Sequence, residues 1–218
     1  MLKRLPQLLM GNVYEQSRVD GWHSFMPARD ENSFWLSGAM DADKIVAKMV
    51  SLGLRPNECS VMEYGVGNGR IAAALAPQVQ RFAGVDLLPA ALEMAREELI
   101  VKRGLNVSLF TPVERVDFIY SHQVFLFCTE RQMHDALASI VDLLQPTGSV
   151  YLHFSAIESQ PDYNGMIHHL FTGEEVMELC CQYFDCTEVK IGKLFYPPLF
   201  GITPEYGWFA TAGKAPTN

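Results

Sequence analysis

The sequence predicts an α/β fold built on a mostly parallel sheet. Three observations carry that expectation. Ser60-Val61-Met62-Glu63-Tyr64-Gly65-Val66-Gly67-Asn68-Gly69-Arg70 reads as a short buried strand, a tight glycine turn and a helix that begins at Ile71. Arg81-Phe82-Ala83-Gly84-Val85-Asp86 reads as a second short strand ending in an acid. Further along, strands such as Val116–Ser121 alternate with helical stretches such as the amphipathic one bearing Met133, Leu137 and Ile140.

The turn and the acid point to a ligand. Glycines allow backbone angles that other residues resist, and they let a ligand come close to the main chain. An acid at the tip of the second strand is placed to accept hydrogen bonds from ribose hydroxyls. The dinucleotide fingerprint is G-x-G-x-x-G, which serves a pyrophosphate. Here the spacing is G-x-G-x-G, with Arg70 where the third dinucleotide glycine would stand. Glu63 precedes the first glycine, and an acid there suits a cationic amine better than a pyrophosphate.

At these residues the sequence resembles the class I S-adenosylmethionine-dependent methyltransferases. Glu63, Gly65, Gly67 and Gly69 match the family's first motif, E/D-x-G-x-G-x-G, and Asp86 matches its strand-end acid. The stretch Gly84–Arg96 resembles the family's second-strand-to-helix segment. The resemblance covers about residues 41–212 and is strongest over 60–103. It implies a three-layer α/β/α sandwich, with a seven-stranded, mostly parallel sheet and one antiparallel strand near the C-terminus. It also implies a lid over residues 1–40, a single cofactor-binding domain over 41–213 and a tail over 214–218.

Composition bounds the reading. The 218 residues, 49% hydrophobic and 19% charged, suit one domain with a sizeable core. A formal charge of −8 argues against nonspecific nucleic-acid binding, which needs clustered Lys and Arg. No apolar run approaches the ~20 residues of a membrane span. Residues 1–10 do not make a convincing signal peptide, so a soluble cytoplasmic protein is expected. The five cysteines, Cys59, Cys128, Cys180, Cys181 and Cys186, are expected as reduced thiols. Cys180, Cys181 and Cys186 read as core positions rather than as a metal cluster.

The elements follow in order. Residues 1–40 have no clean period but hold Tyr14, Trp22, Phe25, Phe34 and Trp35, which serve a lid or simply pack on the core. Asp41 is an expected N-cap, with its helix running to about Leu52 and ending at Gly53. A short helix over Ile71–Leu75 closes at Pro77. Pro89 opens a helix that continues to about Arg103 and ends at Gly104. Asn106–Phe110 is the third strand and Val116–Ser121 the fourth. Next comes an amphipathic helix with Met133, Leu137, Ile140, Val141 and Leu144 on one face. Leu144–Gly148 is a turn into strand five, Ser149–Phe154. Thr172-Gly173-Glu174-Glu175 is a capping box. Cys186–Ile191 and Tyr206–Ala212 are the closing strands. The loop from Leu194 to Gly201 is apolar and fits a pocket wall, a homodimer contact or packing on the sheet edge.

The resemblance assigns roles residue by residue. Glu63 takes the methionine amine, Gly65, Gly67 and Gly69 the methionine and ribose, Asp86 the ribose hydroxyls and Leu87 the adenine. Ser121 and His122 border the methyl. A hydroxyl or protonated amine acceptor needs a base, and histidine suits that near neutral pH. His122 is the first choice and His153 the second. The family's acid after the third strand has no clear counterpart, and Glu114 is a weak substitute. No spacing indicates a metal. The activity implied is methyl transfer from S-adenosyl-L-methionine to a small, partly apolar acceptor, with S-adenosyl-L-homocysteine as product. A non-catalytic protein binding either compound and a dinucleotide enzyme on a similar sheet are the alternatives.

Overall fold

A computed structural model describes residues 31–109, 114–157, 169–196 and 205–213. Helix α1 spans Glu31–Ser51. It starts well before the expected N-cap. Asp41 lies within it, its carboxylate taken by Lys44 at 3.1 Å and by Arg70 at 2.9 Å. Gly53, at φ 78, ends the turn that follows, and its N–H donates to the Val50 carbonyl.

Strand β1, Ser60–Tyr64, is buried along its whole length, as expected of a strand covered on both faces. The short helix α2, Ala72–Leu75, gives way to a 3-10 turn at Ala76–Gln78, where Pro77 cannot continue the helix. Strand β2 is Arg81–Val85 and helix α3 is Pro89–Ala95. A π-helical stretch, Arg96–Lys102, prolongs α3 as far as Gly104 at φ 65. Strand β3, Val107–Leu109, is shorter than expected, and residues 110–113 lie outside the described ones. Strand β4, Val116–Ser121, has the expected bounds.

Helix α4, Glu130–Leu143, opens on a capping box between Thr129 and Gln132. Strand β5 runs from Leu144 to Ser155. The expected turn over 144–148 is therefore extended chain, and it survives as an irregularity. Val116 pairs with Leu144 but Phe118 with Ser149, so β5 carries extra residues against β4. Helix α5, Gly173–Cys181, opens on the expected box of Thr172 and Glu175. Strand β6, Lys190–Tyr196, begins later than expected. Residues 185–188 are a turn in which Asp185 accepts from the Thr187 N–H. Leu194–Tyr196 of the expected apolar loop belong to β6, and residues 197–204 lie outside the described ones. Strand β7 is Glu205–Gly213.

The seven strands run in the order β3-β2-β1-β4-β5-β7-β6. β1 to β5 pair in parallel, and β7 pairs antiparallel with both β5 and β6. Alternating side chains feed two cores. On one face Met62, Ile119, Leu152 and Phe154 pack with Leu137 and Ile140 of α4 and Val176 of α5. On the other, Val61, Phe118, Tyr120 and Tyr151 pack with Ile45 and Met49 of α1 and Leu75 of α2. This is the expected three-layer sandwich.

The cysteine expectation is corrected at one place. Cys181 and Cys186 form a disulfide across the end of α5, while Cys59, Cys128 and Cys180 are free and buried.

Candidate active site

Strand order reverses between β1 and β4, both hydrogen-bonded as neighbours in parallel. In open sheets of this kind, ligands bind outside the strands' carboxyl ends at that switch. The chain leaves β1 through a turn in which Gly65, Gly67 and Gly69 have φ of 86°, 55° and 85°. Only glycine holds such angles without strain. A Cβ on Gly65 would also lie 2.2 Å from Val124 Cγ2.

Asp86, just past β2, holds that turn. Its Oδ2 accepts from the Gly67 N–H and its Oδ1 from the Leu88 N–H, both at 2.9 Å. Leu87 beside it is an exposed large apolar side chain. Glu114 does not join them. Its carboxylate pairs with Arg81 at the opposite, N-terminal end of β2.

Glu63 is buried beneath the turn, in register with Tyr120 of β4. Glu63 Oε2, Tyr120 Oη and Ser121 Oγ are all buried here. Burial pushes the Glu63 carboxyl up to about 8, against the pull of the Tyr120 hydroxyl and Arg70. The carboxyl is thus a neutral acid set beneath the glycine turn beside the Tyr120 hydroxyl.

A charged bracket closes the site on the α1 side. Arg70 follows Gly69 and is 8% exposed. It meets Asp41 at 2.9 Å and donates to Ser37 Oγ at 2.9 Å. Gly38 lets α1 approach this point, since a Cβ there would lie 2.3 Å from the Arg70 carbonyl oxygen. Burial raises the Asp41 pKa, but His122, Arg70 and Lys44 outweigh it and hold it at about 2. The folded-state value is depressed below the unfolded one. Asp41 therefore contributes about 2 kcal/mol above pH ~4, lost as pH falls from 4 toward 2. Acid unfolding of Asp41→Asn, followed by circular dichroism, should lack that step.

His122 follows the tip of β4. Burial holds its pKa down at about 4, with Asp41 opposing and Arg70 and Lys44 assisting. It is therefore neutral near pH 7. His153 on β5 stacks on it at 4.9 Å and 20°, is 1% exposed, and has a pKa lowered by burial and then by His122. Its Nδ1 accepts from the Gln123 N–H at 3.2 Å. Gln123 is the non-glycine residue with positive φ, 55°, among the described residues. His169 packs on Phe171 at 4.3 Å; His168 lies outside the described residues. Among the described residues no three His, Cys, Asp or Glu side chains form a metal site, and no helix is long and apolar enough to cross a membrane.

The structure thus brings Glu63, Gly65, Gly67, Gly69, Asp86, Leu87, Ser121 and His122 to one edge of the sheet, with His153 beneath. Sequence reasoning missed Asp41, Tyr120 and Gln123. For Asp41 a signal existed: Ser37 and Asp41 are spaced to share a helix face toward Arg70.

The sheet order, the antiparallel β7, the glycine turn and the acid after β2 define the class I methyltransferase fold. Many solved structures share it, two of them as follows. One is magnesium protoporphyrin IX methyltransferase from Synechocystis PCC 6803 with bound adenosylmethionine. It is 14% identical over 93% of each chain, at a TM-score of 0.64. The other is the N-methyltransferase NodS from Bradyrhizobium japonicum WM9 with adenosylhomocysteine. It is 21% identical over 85% of this chain and 89% of that one, at 0.60. Residues 61–148 match the model of the methyltransferase domain family. The chain therefore has the class I methyltransferase fold, and its residues 61–148 are similar to the methyltransferase domain family.

Proposed function

We propose that this chain moves the sulfonium methyl of S-adenosylmethionine to a small-molecule acceptor and releases S-adenosylhomocysteine. The observation that carries the reading is the left-handed glycine turn held by Asp86 over a buried, neutral Glu63. Adenosylmethionine supplies an activated methyl, so the chain's own task is mostly to bind and align. Asp86 takes the ribose hydroxyls and Leu87 lies against the adenine. Glu63 faces the ammonium. Ser121 and His122 border the methyl. The carbon–sulfur bond breaks, its electron pair stays on sulfur, and the acceptor atom forms the new bond. A proton lost by the acceptor passes to His122, which is neutral near pH 7; burial makes it a weak base, and Asp41 opposes that by favouring the protonated ring. Residues 1–40 act as a lid whose last turns are the start of α1. Action in the cytoplasm without a nucleic-acid partner completes the reading, the latter part supported by the formal charge of −8.

The test is calorimetric titration with adenosylmethionine, adenosylhomocysteine and NAD. Binding of the first two without the third is expected; binding of NAD alone would overturn the reading. The raised Glu63 pKa adds a second result. Its folded-state value lies above the unfolded one, so its contribution to stability is present below pH 4.5 and lost as pH rises through about 8. At pH 7 the carboxyl is protonated, and an entering ammonium favours its ionised form. Titration in two buffers of different ionisation enthalpy should show net proton release at pH 7. Glu63→Gln should release none.

A further inference from the structure

We propose that His153 is a positioning residue, one that fixes the β4 tip so that His122 faces the transferred methyl. The role rests on the reading of His122 given above. It is carried by four observations made on three adjacent strands. First, Gln123 holds φ 55°, an angle an ordinary side chain adopts only when its surroundings insist. Second, the Gln123 N–H donates to His153 Nδ1, a side chain from the neighbouring strand. Third, the His122 and His153 rings stack at 4.9 Å, and Phe209 of β7 packs against His153 at 4.8 Å. Fourth, β7 makes room for this ring. A Cβ on Gly207 would sit 2.2 Å from His153 Nε2, so only glycine admits the imidazole there.

The hydrogen bond also fixes the tautomer. A neutral imidazole that accepts at Nδ1 carries its proton on Nε2. His153 therefore receives at the nitrogen facing the Gln123 peptide and leaves proton transfer to His122. A change at residue 153 acts on the site through the 122–124 backbone.

The experiment compares His153→Phe, which keeps a stacking ring and removes the acceptor, with His153→Asn, whose carbonyl restores an acceptor. Proton-detected hydrogen exchange and nitrogen-15 imidazole spectra are read on the full chain, after equal melting temperatures confirm the fold. The wild type should show an Nε2–H tautomer for His153. In His153→Phe the Gln123 amide should exchange about fivefold faster or more, the effect of one lost hydrogen bond, with the change confined to 122–124. The His122 ring resonances should shift with it. His153→Asn should restore protection. If His153→Phe lowers the melting temperature, Gln123→Gly in the same background should recover the His122 resonances, because glycine needs no help to hold the angle. A proton on Nδ1, or unchanged exchange at Gln123 in His153→Phe, overturns the proposal. So does equal loss of protection across the sheet. Failure to bind adenosylmethionine would overturn the functional reading and leave these exchange results to stand by themselves.

Discussion

Asp86→Ala is expected to weaken adenosylmethionine binding about 100-fold. The carboxylate has two tasks. In the ligand-free chain it takes the N–H groups of Gly67 and Leu88 and so sets the shape of the turn. In the function proposed above it takes ribose hydroxyls when ligand is bound. Hydrogen bonds to a charged group contribute about 1.5–3 kcal/mol each, and the loss of two at the lower end of that range gives the expected factor. Asp86→Asn keeps an acceptor without the charge and should lose only about tenfold. Calorimetry on the three proteins decides the point. Equal affinity across the series would separate Asp86 from the ribose and remove the strongest link between the fold and its ligand.

Arg70→Ala is expected to cost about 3–5 kcal/mol of folding stability, because it leaves Asp41 buried beside an empty place. Both side chains are about nine-tenths enclosed, at 9% and 11% exposure, so solvent screens the pair poorly. Lys44 compensates only in part, since its own side chain is 44% exposed. Urea unfolding would show the loss as a lower midpoint at unchanged slope. The double variant Arg70→Met, Asp41→Leu should recover much of it, as removing a buried pair together avoids a lone charge. A single variant as stable as the wild type would mean that the bracket between α1 and the glycine turn carries no energy.

Local chemistry was legible. The strand–turn–helix at 60–70 could be read because burial, three glycines and the acid all sit within a few residues of one another. Strand β4 and the capping box at Thr172 were equally local. The start of α1 was not, since Phe34, Trp35 and Gly38 blur the helical period and the packing against Arg70 decides the matter from a distance. The bulge opposite Val116 and the Cys181–Cys186 bond depend on how neighbouring elements meet. Asp41 shows the limit well. As a residue type it reads as a cap; Lys44 pairs with it locally, but only the arrival of Arg70 gives it a buried partner. Within the candidate site, the nearness of Glu63, the three glycines and Asp86 followed from motif spacing. The angle at Gln123 and its hold by His153 follow from strand register, which spacing along the chain does not encode.

The order of the last strands has a consequence for how the molecule is made. β6 precedes β7 in the chain, yet β7 lies between β6 and the rest of the sheet. While a ribosome is still adding residues before 205, β6 has no strand to join. The His153 ring likewise waits for Gly207 and Phe209 to arrive. The half with the glycine turn, β1 to β3, can assemble early from neighbours close in sequence, whereas the half with β5 to β7 is completed late. A nascent chain halted near residue 200 would then present a finished glycine turn and a His153 ring still lacking its β7 neighbours.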